Sequence, residues 1–143
     1  MIYDLGYIIY SRVNKQKQPN PTRYWLYDKK LDRLISKLEE KGEIKKISQI
    51  ITEDEKIFNQ MLNLHKKDIE NRKRFVAENP DLPEVFKKAL LDETVGIGGI
   101  KNYWEKPFKV KCLHLWTAYH LANKEFENFI GEYVLEKIKN LKD

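Results

Sequence analysis

The longest helical signal in the chain lies between Thr52 and Asn79. "TEDE" offers Thr52 as an N-cap with Glu55 three residues on, a capping box, and the run that follows predicts a helix of about 25 residues ending before Asn79-Pro80. Phe58, Met61, Leu62, His65, Ile69, Arg72 and Val76 share one stripe of that helix. The stripe is apolar except for His65 and Arg72, which are nearly superposed on one face. A cation on a core-facing stripe calls for an anionic partner, either a protein carboxylate or a ligand.

The other segments fall before and after this helix. "YIIYSRV" (7–13) is β-branched and aromatic, "NKQKQPNP" is turn-forming and "TRYWLY" (22–27) reads as a second strand, so an antiparallel pair is expected. Asp28 can cap a helix carrying Leu31, Leu34, Ile35 and Leu38 at helical spacing, with Gly42 as its stop. A short periodic piece follows at Ile44, Ile47 and Ile50. Pro83 suits the first turn of a helix through Leu91, the glycine cluster 96–99 interrupts regular structure, and helices resume near Lys111 and after Asn123. No internal repeat or low-complexity linker divides the chain. The expectation is a single α+β domain over residues 1–143, mostly helical, with an N-terminal antiparallel β-hairpin packed against about six helices.

At 143 residues the chain can bury a core without disulfides or a structural metal. No apolar run reaches the roughly 18 residues of a membrane span, and the N-terminus lacks a secretory leader, which predicts a cytoplasmic protein with no membrane partner. One cysteine, Cys112, permits no internal disulfide and no thiolate cage. The net charge of +5 is N-terminal: residues 1–50 hold eleven Lys/Arg against six Asp/Glu, and the remainder balances. Arg12, Lys15, Lys17, Arg23, Lys29 and Lys30 interleave with Tyr10, Tyr24, Trp25 and Tyr27. That pattern fits a nucleic-acid surface with bases stacked on rings, or a solvated hairpin whose aromatics pack inward.

The stretch "FKVKCLHLWTAYH" (108–120) concentrates the chemistry, and it has three readings. For a metal, His65, Cys112, His114 and His120 are the strong ligands. At about 100° per residue, a regular helix starting near Lys111 puts Cys112 and His114 about 200° apart, so no metal site is expected unless the helix starts irregularly before His114. For a nucleophile, Cys112 in a first turn beside Lys111 would favour thiolate, whereas a face shared with Leu115, Trp116 and Tyr119 would make it a packed core residue. His114 is either a general acid/base or a core histidine with a polar partner. For an anion, "GIGG" (96–99) allows close backbone approach and the helix start offers free N–H groups. No Gly-Lys-Ser/Thr or dinucleotide spacing is present, so the sequence specifies no cofactor.

The anion reading uses the most residues. It expects a small phosphorylated or carboxylated ligand in a pocket between the long helix and the Gly-loop/"KCLH" segment. Arg12, Arg72 and Lys111 would hold the anion, Gly98 and Gly99 would give backbone contact, and any hydrolytic or transfer chemistry would fall to His114, His65 or Cys112. The alternative is a non-enzymatic module that uses the basic hairpin on nucleic acid or a protein partner.

"PTRYWL" followed by a Leu-rich helix, the His of "NLHKKDIENR", the Gly-Gly loop, "VKCLH" and "ENFIG" resemble, in that order, a bacterial family known as domain of unknown function 501. The resemblance implies a shared fold and a shared pocket, not a reaction. The family's gene often lies near those for an exopolyphosphatase and a septum-formation protein, which points towards phosphate chemistry or division. Where relatives often carry Cys after the Arg matched by Arg12, and Cys or His after the strand matched by "YWL", this chain has Val13 and Tyr27-Asp28. Where relatives tend to carry His, it has Tyr119, with His120 beside it. A metal role at those positions is not carried over.

Overall fold

The computed structural model describes residues 1–10 and 16–141. Four short strands, β1 (Ile2–Asp4), β2 (Ile8–Tyr10), β3 (Lys17–Pro19) and β4 (Tyr24–Leu26), precede α1 (Lys29–Glu40), α2 (Glu43–Glu53), α3 (Glu55–Glu78), α4 (Glu84–Leu90), α5 (Leu113–Ala122) and α6 (Phe129–Lys139). A 3₁₀ turn, Ile97–Gly99, sits in the glycine loop. The chain is therefore a mostly helical α+β fold with an N-terminal hairpin.

The hairpin has longer arms than its β-rich stretches announce. β2 pairs with β3 (Ile8↔Pro19, Tyr10↔Lys17), while β4 pairs with the extreme N-terminus (Ile2↔Leu26, Asp4↔Tyr24). Tyr7 O accepts from Asn20 N at 2.7 Å and Leu5 N donates to Arg23 O at 2.9 Å, so the arms 2–10 and 17–26 run on together across Gly6, whose φ is +62°. The expected pairing of 7–13 with 22–27 is corrected accordingly. Lys17–Pro19, read as turn for its prolines and asparagines, is an edge strand in which Pro19 is tolerated, and Ile2–Asp4 was too short to show a period.

Helix limits follow local rules with two exceptions. Asp28 caps α1 by accepting from Leu31 N at 3.0 Å, and Gly42 after it has φ +82°. The cap of α3 is Asp54, accepting from Lys56 N and Ile57 N, in place of the expected Thr52. Thr52 belongs to α2, where its hydroxyl donates to Ser48 O and accepts from Phe108 N. The other exception is the start of α5. Cys112 is its N-cap in extended conformation (φ −154°, ψ 152°), so the helix begins one residue past the cysteine.

α5 lies at the centre. Leu113, Leu115, Trp116, Thr117, Ala118 and Tyr119 are all buried, so this helix is enclosed nearly all round, against α6, α1 and β4. α3 contributes Phe58, Met61 and Ile69 to the same core, α1 contributes Ile35 and Leu38, and α2 contributes Ile47 and Ile51 in place of the expected Ile50. Among the described residues, no helix is long and apolar enough to cross a membrane.

Candidate functional site

The start of α5 is shaped by a kink one residue earlier. Lys111, a non-glycine, has φ +69°, and Val110 O accepts from both Cys112 N (2.9 Å) and Trp116 Nε1 (2.7 Å). This is a γ-turn with its centre at Lys111, a strained conformation held by the buried indole. Its consequence is that Cys112 leaves the helical path. Its Sγ folds over the first turn to accept from Leu115 N at 3.4 Å.

That displacement brings Cys112 and His114 together, which a regular helix would have kept apart. With Glu39 of α1 they form a group whose potential ligand atoms all lie within 4.8 Å of one another. His114 Nδ1 is 3.4 Å from Glu39 Oε1, while its Nε2 is 2.7 Å from Asp32 Oδ1 and 3.2 Å from Asp32 O. Glu39 Oε2 in turn accepts from Leu113 N at 2.8 Å. The imidazole is pushed up to about 9, chiefly by its hydrogen bond with Cys112, then by the Asp32 carbonyl and the charges of Glu39 and Asp32, against the cost of partial burial. These contacts favour its protonated form. The helix N-terminus expected to meet a ligand anion already holds one, the carboxylate of Glu39.

Beside this cluster is a cavity of about 160 Å³, with Tyr24, Trp25, Leu26 and Leu115 as its apolar wall. Thr22, Lys111, Cys112 and His114 form its polar edge. It therefore lies between β4 and the "KCLH" segment, not against the long helix.

The remaining predicted site residues are divided among other tasks. His65 is fully buried: Nδ1 accepts from Ile97 N at 3.0 Å, the ring stacks on Tyr103 (centroids 4.7 Å apart), and Trp116 meets it edge-on at 5.1 Å. Burial, with the Arg72 charge adding to it, pulls its pKa down to about 3, so it stays neutral and latches the glycine loop to α3. Arg72 is buried as well. Its Nη2 donates to Val95 O (2.6 Å) and Asp92 O (3.2 Å), and its Nε lies 3.8 Å from Asp68 Oδ2, so its anionic partner is a carboxylate one helical turn away. Asp68 Oδ1 accepts from Tyr7 OH at 2.7 Å, and burial raises the Asp68 pKa.

Gly98 and Gly99 adopt positive φ, +66° and +78°, and their N–H groups donate to Pro21 O and Gly96 O. Lys111 Nζ donates to Gly98 O. Arg72 and Gly99 border a different cavity, of about 330 Å³. Arg12 lies outside the described residues. The structure thus brings together Cys112, His114 and Lys111, and separates them from His65, Arg72 and Gly99. His120, the other sequence candidate for a ligand, packs against Gly131 of α6.

Sequence reasoning missed Asp32 and Glu39. They are seven apart on α1, with Ser36 between them on the same face and 3.4 Å from His114 Nε2, a polar row that a helical projection of 29–40 displays. The expectation that the hairpin aromatics pack inward also needs correction. Strand alternation turns Tyr24 inward, edge-on to Tyr119 at 4.9 Å, and leaves Tyr10, Trp25 and Tyr27 exposed, with Tyr27 against Tyr3.

Fold and site together define a mostly helical α+β protein with a thiol, an imidazole and a carboxylate converging at a helix start beside an apolar cavity. By sequence the chain belongs to the family described as protein of unknown function (DUF501), whose model matches residues 7–136. No curated protein and no solved structure matches it.

Proposed function

We propose that the protein binds a small phosphorylated or carboxylated ligand in the cavity between β4 and the start of α5. One observation carries this reading: Cys112, His114 and Lys111 share the edge of a cavity of about 160 Å³ whose opposite wall is apolar. A concave apolar wall with a few convergent polar groups is the usual form of a small-molecule site. Lys111 supplies positive charge at that edge, and the residues there able to take part in chemistry are Cys112 and His114, with Glu39 beside them. His65 and Arg72 support the site from behind, by holding the glycine loop to which Lys111 is bonded.

The reading is tested by thermal shift against inorganic phosphate, pyrophosphate and simple mono- and dicarboxylates. A ligand at about one hundred times its Kd stabilises by roughly 2.7 kcal/mol, which for a domain of this size raises Tm by roughly 8 °C. Trp25→Ala and His114→Gln should each abolish the shift. No shift with any of these probes ends the proposal.

A second reading, an interaction module, is favoured by one specific feature. Tyr3 and Tyr27 are each about half exposed and packed against one another at the β1–β4 pair, in the segment that carries the chain's excess positive charge. Binding to single-stranded nucleic acid through these rings should weaken steeply with added salt, and Tyr3→Ala with Tyr27→Ala should weaken it further. Binding of a small ligand in the cavity, where the charges are partly buried, should depend on salt less.

A further inference from the structure

We propose that Glu39, Cys112 and His114 hold a divalent transition metal ion of the zinc type, with the remaining coordination position open to the adjoining cavity. The inference rests on the reading of that cavity as the ligand site and names its cofactor.

The donor set is one carboxylate oxygen, one sulfur and one imidazole nitrogen. A soft sulfur with a borderline nitrogen selects zinc-like ions over magnesium or calcium, which prefer oxygen alone. Three protein ligands with one position free is the pattern of catalytic rather than structural zinc. From ordinary metal–ligand bond lengths, donors around a tetrahedral ion lie about 3.3–3.7 Å apart. His114 Nδ1 and Glu39 Oε1 are 3.4 Å apart, within that range, and the whole set is within 4.8 Å, so the sulfur needs to close by no more than about 1 Å.

The stronger argument is what holds each donor from outside. The atoms facing away from the group are all engaged. Asp32 Oδ1 is on His114 Nε2 at 2.7 Å, which leaves Nδ1 for the ion in the arrangement of a carboxylate, a histidine and a metal in line. Leu113 N donates to Glu39 Oε2, which leaves Oε1 on the inner side. Leu115 N donates to Cys112 Sγ and would support its thiolate. Two of these supports are backbone N–H groups of the first turn of α5, and they exist because the kink at Lys111 places Cys112 before the helix. Packing alone asks for no such convergence: Cys112, His114 and Glu39 are all only partly buried. Binding would release the thiol proton and the Nδ1 proton, so that thiolate and carboxylate balance a divalent charge. A phosphate or carboxylate entering the cavity would then meet the ion's open position.

The test uses the full chain, stripped with a chelator and titrated with Co²⁺. One ion per chain should bind, with a sulfur-to-cobalt charge-transfer band in the near ultraviolet that Zn²⁺ abolishes. Cys112→Ser should lose the band, His114→Gln and Glu39→Gln should each weaken binding at least about 100-fold, and Asp32→Asn, which acts through His114, about 10-fold. In the unaltered protein, Zn²⁺ should shield the thiol from alkylation, a readout that does not depend on whether any variant folds. Absence of the band, one ion shared by two chains, unchanged affinity in folded His114→Gln and Glu39→Gln, or a thiol alkylated equally fast with and without Zn²⁺ would each overturn the metal site. Inorganic phosphate and acetate tested by thermal shift on the stripped and loaded forms separate the two proposals. If Co²⁺ binds as described and neither probe raises Tm, the metal stands and the ligand reading falls. If phosphate stabilises the stripped protein and Co²⁺ does not bind, the metal falls.

Discussion

His65 and His114 are the same side chain in two settings, and the contrast separates scaffold from site. His65 is boxed by Tyr103, Phe108 and Trp116, accepts one backbone hydrogen bond and is pulled down to about 3. His114 is a quarter exposed, faces Asp32 and Glu39 and is pushed up to about 9. Desolvation decides the first and hydrogen bonding with nearby charge decides the second. A histidine on an apolar stripe therefore serves the fold, whereas one at a helix start with carboxylates arriving from another element favours its charged form.

Four outcomes would break or sharpen this contrast. The largest is His65→Ala, which removes a fully buried ring together with the acceptor for Ile97 N. It should destabilise by roughly 3–5 kcal/mol in urea unfolding, and a loss below about 1 kcal/mol would mean that His65 is not a latch. Gly96→Ala attacks the same contact from the other side, because its Cβ would lie 2.1 Å from His65 Nδ1. The expected cost is roughly 1–3 kcal/mol, and a neutral result would require the loop to be freer than its hydrogen bonds suggest.

The third outcome is acid lability. With a folded value near 3 and an ordinary unfolded value near 6.5, unfolding takes up a proton at His65 between those limits, so this stability is complete above pH 6.5 and drains away as pH falls towards 3. The parent should lose up to about 1.4 kcal/mol per pH unit more than His65→Gln across that window. Parallel curves would place the ring in water. The smallest effect is expected at the other histidine. Asp32→Asn removes a largely exposed partner of His114, so stability should change by less than about 1 kcal/mol while reactivity of the Cys112 thiol changes. A large loss of stability there would make the cluster a structural support.

Much of the fold was legible because its signals are local. The Asp28 cap, the left-handed Gly42 and the end of α3 before Asn79 each depend on residues within about a turn of one another. The Asp68–Arg72 pair is local as well, four apart on one helix, although the sequence reading left the partner of Arg72 open between a carboxylate and a ligand. Local rules failed where two answers competed within the same few residues. Thr52 and Asp54 both suit a cap, and the carboxylate closer to the run prevailed because the Thr52 hydroxyl was drawn to Ser48 and Phe108. Lys111 could have continued a helix backwards, but the indole of Trp116 claims the Val110 carbonyl and the chain turns instead.

By itself, then, the sequence determined which segments are helical, that His65 and Arg72 lie on the core-facing stripe of the long helix, and that Cys112 and His114 fall in one short segment. Only the tertiary structure decided what those groups face. Asp32 and Glu39 are separated from His114 by 82 and 75 residues, and they reach it because α1 packs against α5. Caps and apolar periods are short-range preferences of the chain, whereas a convergence of side chains depends on how whole elements dock, and no spacing within either segment encodes that.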